Sequence, residues 1–123
     1  MSTMNDALNQ ANELIAQLRK QYPGETNAFL HFMRKTEDGP ALSHREKELI
    51  NVALSVAAQC EWCIALHVKS AFEAGATRDE IMEAGFQAVL MHGGPALMHL
   101  VLLSEALDEF QPPAAEESQK DAS

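Results

Sequence analysis

The chain holds 123 residues, enough for one domain with a core and too few for two. Its 18 acids against 9 bases give a formal charge of −9, which argues against nucleic acid or an anionic membrane surface as its partner. Hydrophobic residues at 46% and charged residues at 22% make a globular balance, and no apolar run approaches the roughly 20 residues of a membrane span. Met1-Ser2-Thr3-Met4-Asn5-Asp6 has neither the basic nor the apolar stretch of a signal peptide, so the expected location is cytoplasmic.

Taken in chain order, the segments read as helices. Leu8, Ala11, Ile15 and Leu18 recur at helical spacing until Tyr22-Pro23-Gly24 stops them. A short apolar segment around Phe29, Phe32 and Met33 ends at Gly39-Pro40. Ser43-His44-Arg45-Glu46 and Thr77-Arg78-Asp79-Glu80 are capping boxes, each opening a helix, and Gly75 suits the left-handed end of the helix before the second. Gly93-Gly94-Pro95 breaks the chain again, with Pro95 placed as a first helical residue, and apolar residues return at helical spacing from Ala96 to Phe110. No stretch alternates with period two, so the expected fold class is all-α. Residues 1–110 form one domain, and residues 111–123, opening with Pro112-Pro113, read as a disordered acidic tail.

A single helix from Ser43 to Ala74 would run about 48 Å. A domain of this length is only about 35 Å across. The chain must therefore break inside that segment, and Gln59-Cys60-Glu61 is its least apolar point.

The only cysteines form Cys60-Glu61-Trp62-Cys63, with His67 four residues on. At about 100° per residue, positions 60, 63 and 67 fall within roughly 60° on a helix, so one face presents two thiols and an imidazole. In an acidic chain without a secretion signal, CxxC points to redox or metal chemistry rather than a structural disulfide. A helix beginning near Cys60 would put both cysteines in its first turn, where the thiolate is favoured, and His67 could exchange a proton with Cys63. Two neighbouring cysteines also let a sulfenic acid on one be resolved by the other.

Glu48, eleven intervening residues and then Cys60-x-x-Cys63-x-x-x-His67 resemble the signature of the alkylhydroperoxidase-D-like branch of the carboxymuconolactone decarboxylase superfamily. The flanks agree: Ser43-x-Arg45-Glu46-Lys47-Glu48-Leu49-Ile50 before, Ala71-x-x-x-Gly75-Ala76-Thr77-x-x-Glu80-Ile81 after, and Gly93-Gly94-Pro95-Ala96-Leu97 beyond. The resemblance spans about residues 25 to 110. It implies an all-helical bundle of about six helices, assembled as a homo-oligomer, trimer or hexamer, that reduces organic or hydrogen peroxide through its cysteine pair. By the same resemblance Cys63 is the peroxidatic nucleophile, Cys60 the resolving and more exposed thiol, and Glu48 with His67 the proton relay, recycled by a thiol or lipoyl-type reductant. One position departs: Trp62 stands where the best-known peroxidase members carry histidine. On a continuous helix Glu48 would sit about 120° around from Cys60 and some 18 Å away, so the relay requires the chain to fold back.

Other readings compete. Disulfide exchange on protein or small thiols, with Cys60 attacking, is the alternative within the fold. Decarboxylation of a lactone acid would not need a cysteine pair. Cys60, Cys63, His67 and Glu48 could instead form a metal-binding module without turnover, but structural zinc sites favour two separated ligand pairs, so neither metal nor cofactor is expected. His31 reads as half-buried packing, His44 as solvated, His92 as a helix end and His99 as facing a neighbouring helix. Met82, Met91 and Met98 are expected in the core, and Trp62 either walls a pocket over the thiols or packs at a subunit interface. So many apolar helix positions in a small domain suggest that one helix face is buried between subunits.

Overall fold

The helix starts follow from side chains that satisfy the first free backbone N–H groups. In the computed structural model, which describes residues 3–113, the helices are α1 (Met4–Gln21), α2 (Pro23–Asp38), α3 (His44–Ala57), α4 (Glu61–Glu73), α5 (Arg78–His92) and α6 (Gly94–Phe110). Thr3, Ser43 and Thr77 cap α1, α3 and α5, each in a reciprocal capping box with Asp6, Glu46 and Glu80. Pro23 and Pro95 sit in the first turns of α2 and α6, where a missing N–H costs nothing. The expected tail falls largely beyond residue 113 and so outside the described residues.

Helices α3 and α4 form the centre, with α5 packed on α3 and α6, and α1 and α6 packed on α4. Val52 and Val56 of α3, Ile64 and Val68 of α4, Ile81 of α5, and Leu103 and Leu107 of α6 are fully enclosed. Met4 and Leu8 bring α1 into the same core. Gly85 lets α5 approach α6, since a Cβ there would lie 2.5 Å from Leu103 Cδ2. The Glu109 carboxylate, near the end of α6, accepts from the backbone N–H groups of Met4 at 2.9 Å and Asn5 at 3.0 Å, closing the bundle on the positive end of α1. No helix among the described residues is long and apolar enough to cross a membrane.

Two expectations are corrected. The segment around Phe29 and Phe32 is a full helix, α2, that buries none of its residues; His31 on it is exposed rather than half-buried. Met91 and Met98, expected in the core, are 77% and 64% exposed, while Met82 packs against the core. Helical spacing identifies an apolar stripe but not what covers it. Phe86, Leu90 and Met91 of α5 and Met98 and Val101 of α6 leave an apolar surface open on this chain.

Candidate active site

The break between α3 and α4 lies where the length argument put it. The N–H of Gln59 donates to the Val56 carbonyl and the N–H of Cys60 to the Ser55 carbonyl, the paired bonds of a Schellman turn. The residue that must turn left-handed is Gln59, with φ +58°, a position usually filled by glycine. Cys60 is then extended and caps α4, its Sγ accepting from the backbone N–H of Cys63 at 3.2 Å. Cys60 and Cys63 are joined as a disulfide across a Cα–Cα distance of 5.2 Å. Both are half-buried, so the greater exposure expected for Cys60 does not distinguish them.

The same fold-back lays α4 against α3 and brings His67 to Glu48. His67 Nδ1 is 3.2 Å from Glu48 Oε1, and the Asn51 amide donates to the same oxygen at 2.6 Å. Glu48 is only 4% exposed. Burial alone would raise its carboxyl pKa, but hydrogen bonds from His67 and Asn51, the charge of His67 and a smaller contribution from the Ser70 hydroxyl outweigh that penalty and lower it. Glu48 is therefore an anion at neutral pH. An anionic carboxylate can only accept, so His67 Nδ1 donates the hydrogen between the two groups and Nε2 is left facing away from Glu48. Cys63 lies one turn before His67 on the same helix face.

Trp62 is half exposed; its indole N–H donates to Gln10 Oε1 at 3.0 Å, tying the motif to α1. With Gln10, Ala11, Leu14 and Ile15 it lines an open apolar groove of about 480 Å³. His44 is exposed, as expected, and His99 Nδ1 donates to the Pro95 carbonyl on its own helix rather than to a neighbour. Among the described residues no three of His, Cys, Asp and Glu converge as a metal-holding group.

Residues 23–106 match the carboxymuconolactone decarboxylase family. The chain belongs to that family. It is similar to "Uncharacterized protein 4 in cox locus" of Paracoccus denitrificans, 42% identical over 84 residues, which cover 68% of this chain and 76% of that one. It is also similar to an uncharacterised protein of Cupriavidus necator, 32% identical over 103 residues, covering 84% of this chain and 88% of that one. The crystal structure of a carboxymuconolactone decarboxylase family protein from Legionella pneumophila, in its apo form, superposes with a TM-score of 0.84 at 34% identity, covering 89% of this chain and 97% of that one.

In this member of the carboxymuconolactone decarboxylase family, Cys60 and Cys63 meet directly, as do Glu48 and His67. Sequence reading missed Asn51 and Glu37. Asn51 was within reach, three residues after Glu48 and so on the same helix face. Glu37 comes from α2 and accepts from the Asn51 amide at 3.1 Å, a meeting that only the packing of α2 on α3 creates.

Proposed function

We propose that this protein is a thiol-dependent peroxidase, reducing organic hydroperoxides or hydrogen peroxide through Cys60 and Cys63. The observation that carries this reading is the pairing of buried Glu48 with His67, one helical turn from Cys63. In the reduced enzyme, His67 Nε2 takes the proton from the Cys63 thiol, and Glu48 stabilises the resulting imidazolium. The Cys63 thiolate attacks the terminal peroxide oxygen and the O–O bond breaks. Cys63 becomes a sulfenic acid, and the leaving alkoxide takes the proton from His67 as alcohol. The Cys60 thiolate then attacks the Cys63 sulfur and expels the hydroxyl, which leaves as water once protonated, and the disulfide forms. An external dithiol, of the lipoyl or protein-thiol class, returns two electrons and two protons.

A specific observation favours a second reading. Cys60 Sγ, not Cys63 Sγ, accepts a backbone N–H at the α4 N-terminus, so helix dipole and hydrogen bond both favour the Cys60 thiolate. A Cys60 nucleophile fits thiol–disulfide exchange. Either chemistry suits a homo-oligomer, in which a second copy covers the apolar surface of α5 and α6, working in a reducing compartment such as the cytoplasm.

Mixing reduced protein with cumene hydroperoxide, and separately with a small disulfide, tests the choice. The peroxidase reading expects rapid loss of both thiols to the hydroperoxide with a mass decrease of about 2 Da, the two thiol hydrogens. Thiols that meet the peroxide no faster than free cysteine, yet exchange rapidly with the disulfide, would move the assignment to the second reading.

A further inference from the structure

The Glu48–His67 pair does not end at Glu48. The Asn51 Nδ2 nitrogen lies 2.6 Å from Glu48 Oε1 and 3.1 Å from Glu37 Oε1. Carboxylates only accept, so each of the two amide hydrogens serves one carboxylate and the amide oxygen must face away. Asn51 thus clamps two carboxylates from two helices beside one imidazole. Glu37 is otherwise poorly neutralised: its Oε2 is buried and has no hydrogen-bond partner among the described residues. His44 Nδ1 stands 3.9 Å from that oxygen, beyond hydrogen-bonding range.

The position is built rather than incidental. Lys47 Nζ, on α3, donates to the α2 carbonyls of Thr36 at 3.2 Å, of Glu37 itself at 2.9 Å and of Gly39. That ammonium caps the C-terminal end of α2 and fixes the backbone of Glu37 against the α3 face carrying Glu48 and Asn51. The charged and titratable groups around the network are Glu37 from α2, His44, Lys47 and Glu48 from α3, and His67 from α4. Helices α1, α5 and α6 also pack on α4, and none supplies a hydrogen bond or ion pair to His67 among the described residues.

We propose that Glu37 and Asn51 are positioning residues of the active site: Asn51 holds both carboxylates in place, and the Glu37 charge biases His67 toward imidazolium. With His67 neutral, the cluster confines two negative charges in a largely buried space; with His67 protonated it confines one. The second carboxylate therefore favours the proton on the imidazole, and an imidazolium beside Cys63 favours the thiolate. The consequence for catalysis rests on the peroxidase reading; the effect on His67 does not.

The test is a pH titration of the His67 imidazole by NMR in the reduced, full-length protein, with the resonance assigned by His67→Gln. It is run alongside the pH profile of Cys63 alkylation. Glu37→Gln keeps the shape and the acceptor for Asn51 but removes the charge. It is expected to lower the His67 midpoint by on the order of half a unit and to move the Cys63 alkylation profile upward in pH, with thermal unfolding unchanged. Asn51→Leu should disturb the same two readouts. An identical His67 midpoint in Glu37→Gln and wild type would overturn the proposal, whatever Asn51→Leu does. Because the Glu37 side chain is 29% exposed, the glutamine variant is expected to fold, so the decisive comparison does not depend on Asn51→Leu. A shifted midpoint in a protein inert to peroxide would uphold this inference and remove the peroxidase reading. An unshifted midpoint in an active peroxidase would do the reverse.

Discussion

Glu48 is a carboxylate at 4% exposure that remains ionised, because His67 and Asn51 supply the hydrogen bonds that water would otherwise give. A folded-state pKa below the unfolded 4.5 means that Glu48 contributes stability above about pH 4.5 and loses it as the pH falls through the lower folded value. Glu48→Gln should therefore cost about 1 kcal/mol at pH 7, with the gap to wild type narrowing below about pH 4.5, as denaturant melts at several pH values would read. A gap that widens in acid would mean that the glutamate is neutral in the folded protein. The same variant should alkylate Cys63 about tenfold more slowly at neutral pH, since an amide stabilises the His67 imidazolium less. Cys63 and His67 were legible in sequence because they share one helix, and Cys60 because it caps that helix three residues before Cys63. Glu48 was legible only through its spacing in a family signature, and Glu37 carried no local sign at all.

At the scale of elements, the α3–α4 turn decides the site. Had α3 continued through Gln59, Glu48 and His67 would lie about five turns apart along one rod; the turn brings them to 3.2 Å. The sequence shows that a break must exist, because an unbroken helix would outrun the domain. It does not show how the break is made, because the left-handed residue is Gln59 rather than glycine. Gln59→Gly should stabilise the fold by about 1 kcal/mol by relieving that backbone conformation, while Gly75→Ala, at φ +92°, should destabilise it by a similar amount. Equal melting temperatures for Gln59→Gly and wild type would show that the turn stores no such cost. The capping boxes at Ser43 and Thr77 were readable in advance, since a cap is a local arrangement of four residues.

At the scale of the whole molecule, the misplaced methionines are informative. Met91 and Met98 keep the spacing of core residues but face outward beside Phe86, Leu90 and Val101. So many large apolar side chains exposed on two helices that pack together are ordinarily covered, and a second copy of the chain is the simplest cover. Light scattering on the purified protein should give a multiple of the 13.5 kDa chain mass, and Leu90→Glu should shift it toward the monomer. A wild-type protein that stays monomeric across its usable concentration range would refute this expectation. Fold class, helix number and the cysteine face were thus within reach of the sequence. Which apolar stripe meets the chain's own core and which stays exposed on it was not, because both have the same period.

The most direct measurement of the central claim compares two single-cysteine variants against cumene hydroperoxide, scoring sulfenic acid by dimedone trapping and mass. Cys60→Ser should consume one equivalent of peroxide and stop with Cys63 as a sulfenic acid, because attack needs only Cys63 and its Glu48–His67 relay. Cys63→Ser should react no faster than a free thiol. Rapid peroxide consumption by Cys63→Ser, with Cys60→Ser inert, would contradict the account and assign the chemistry to the thiol at the α4 N-terminus.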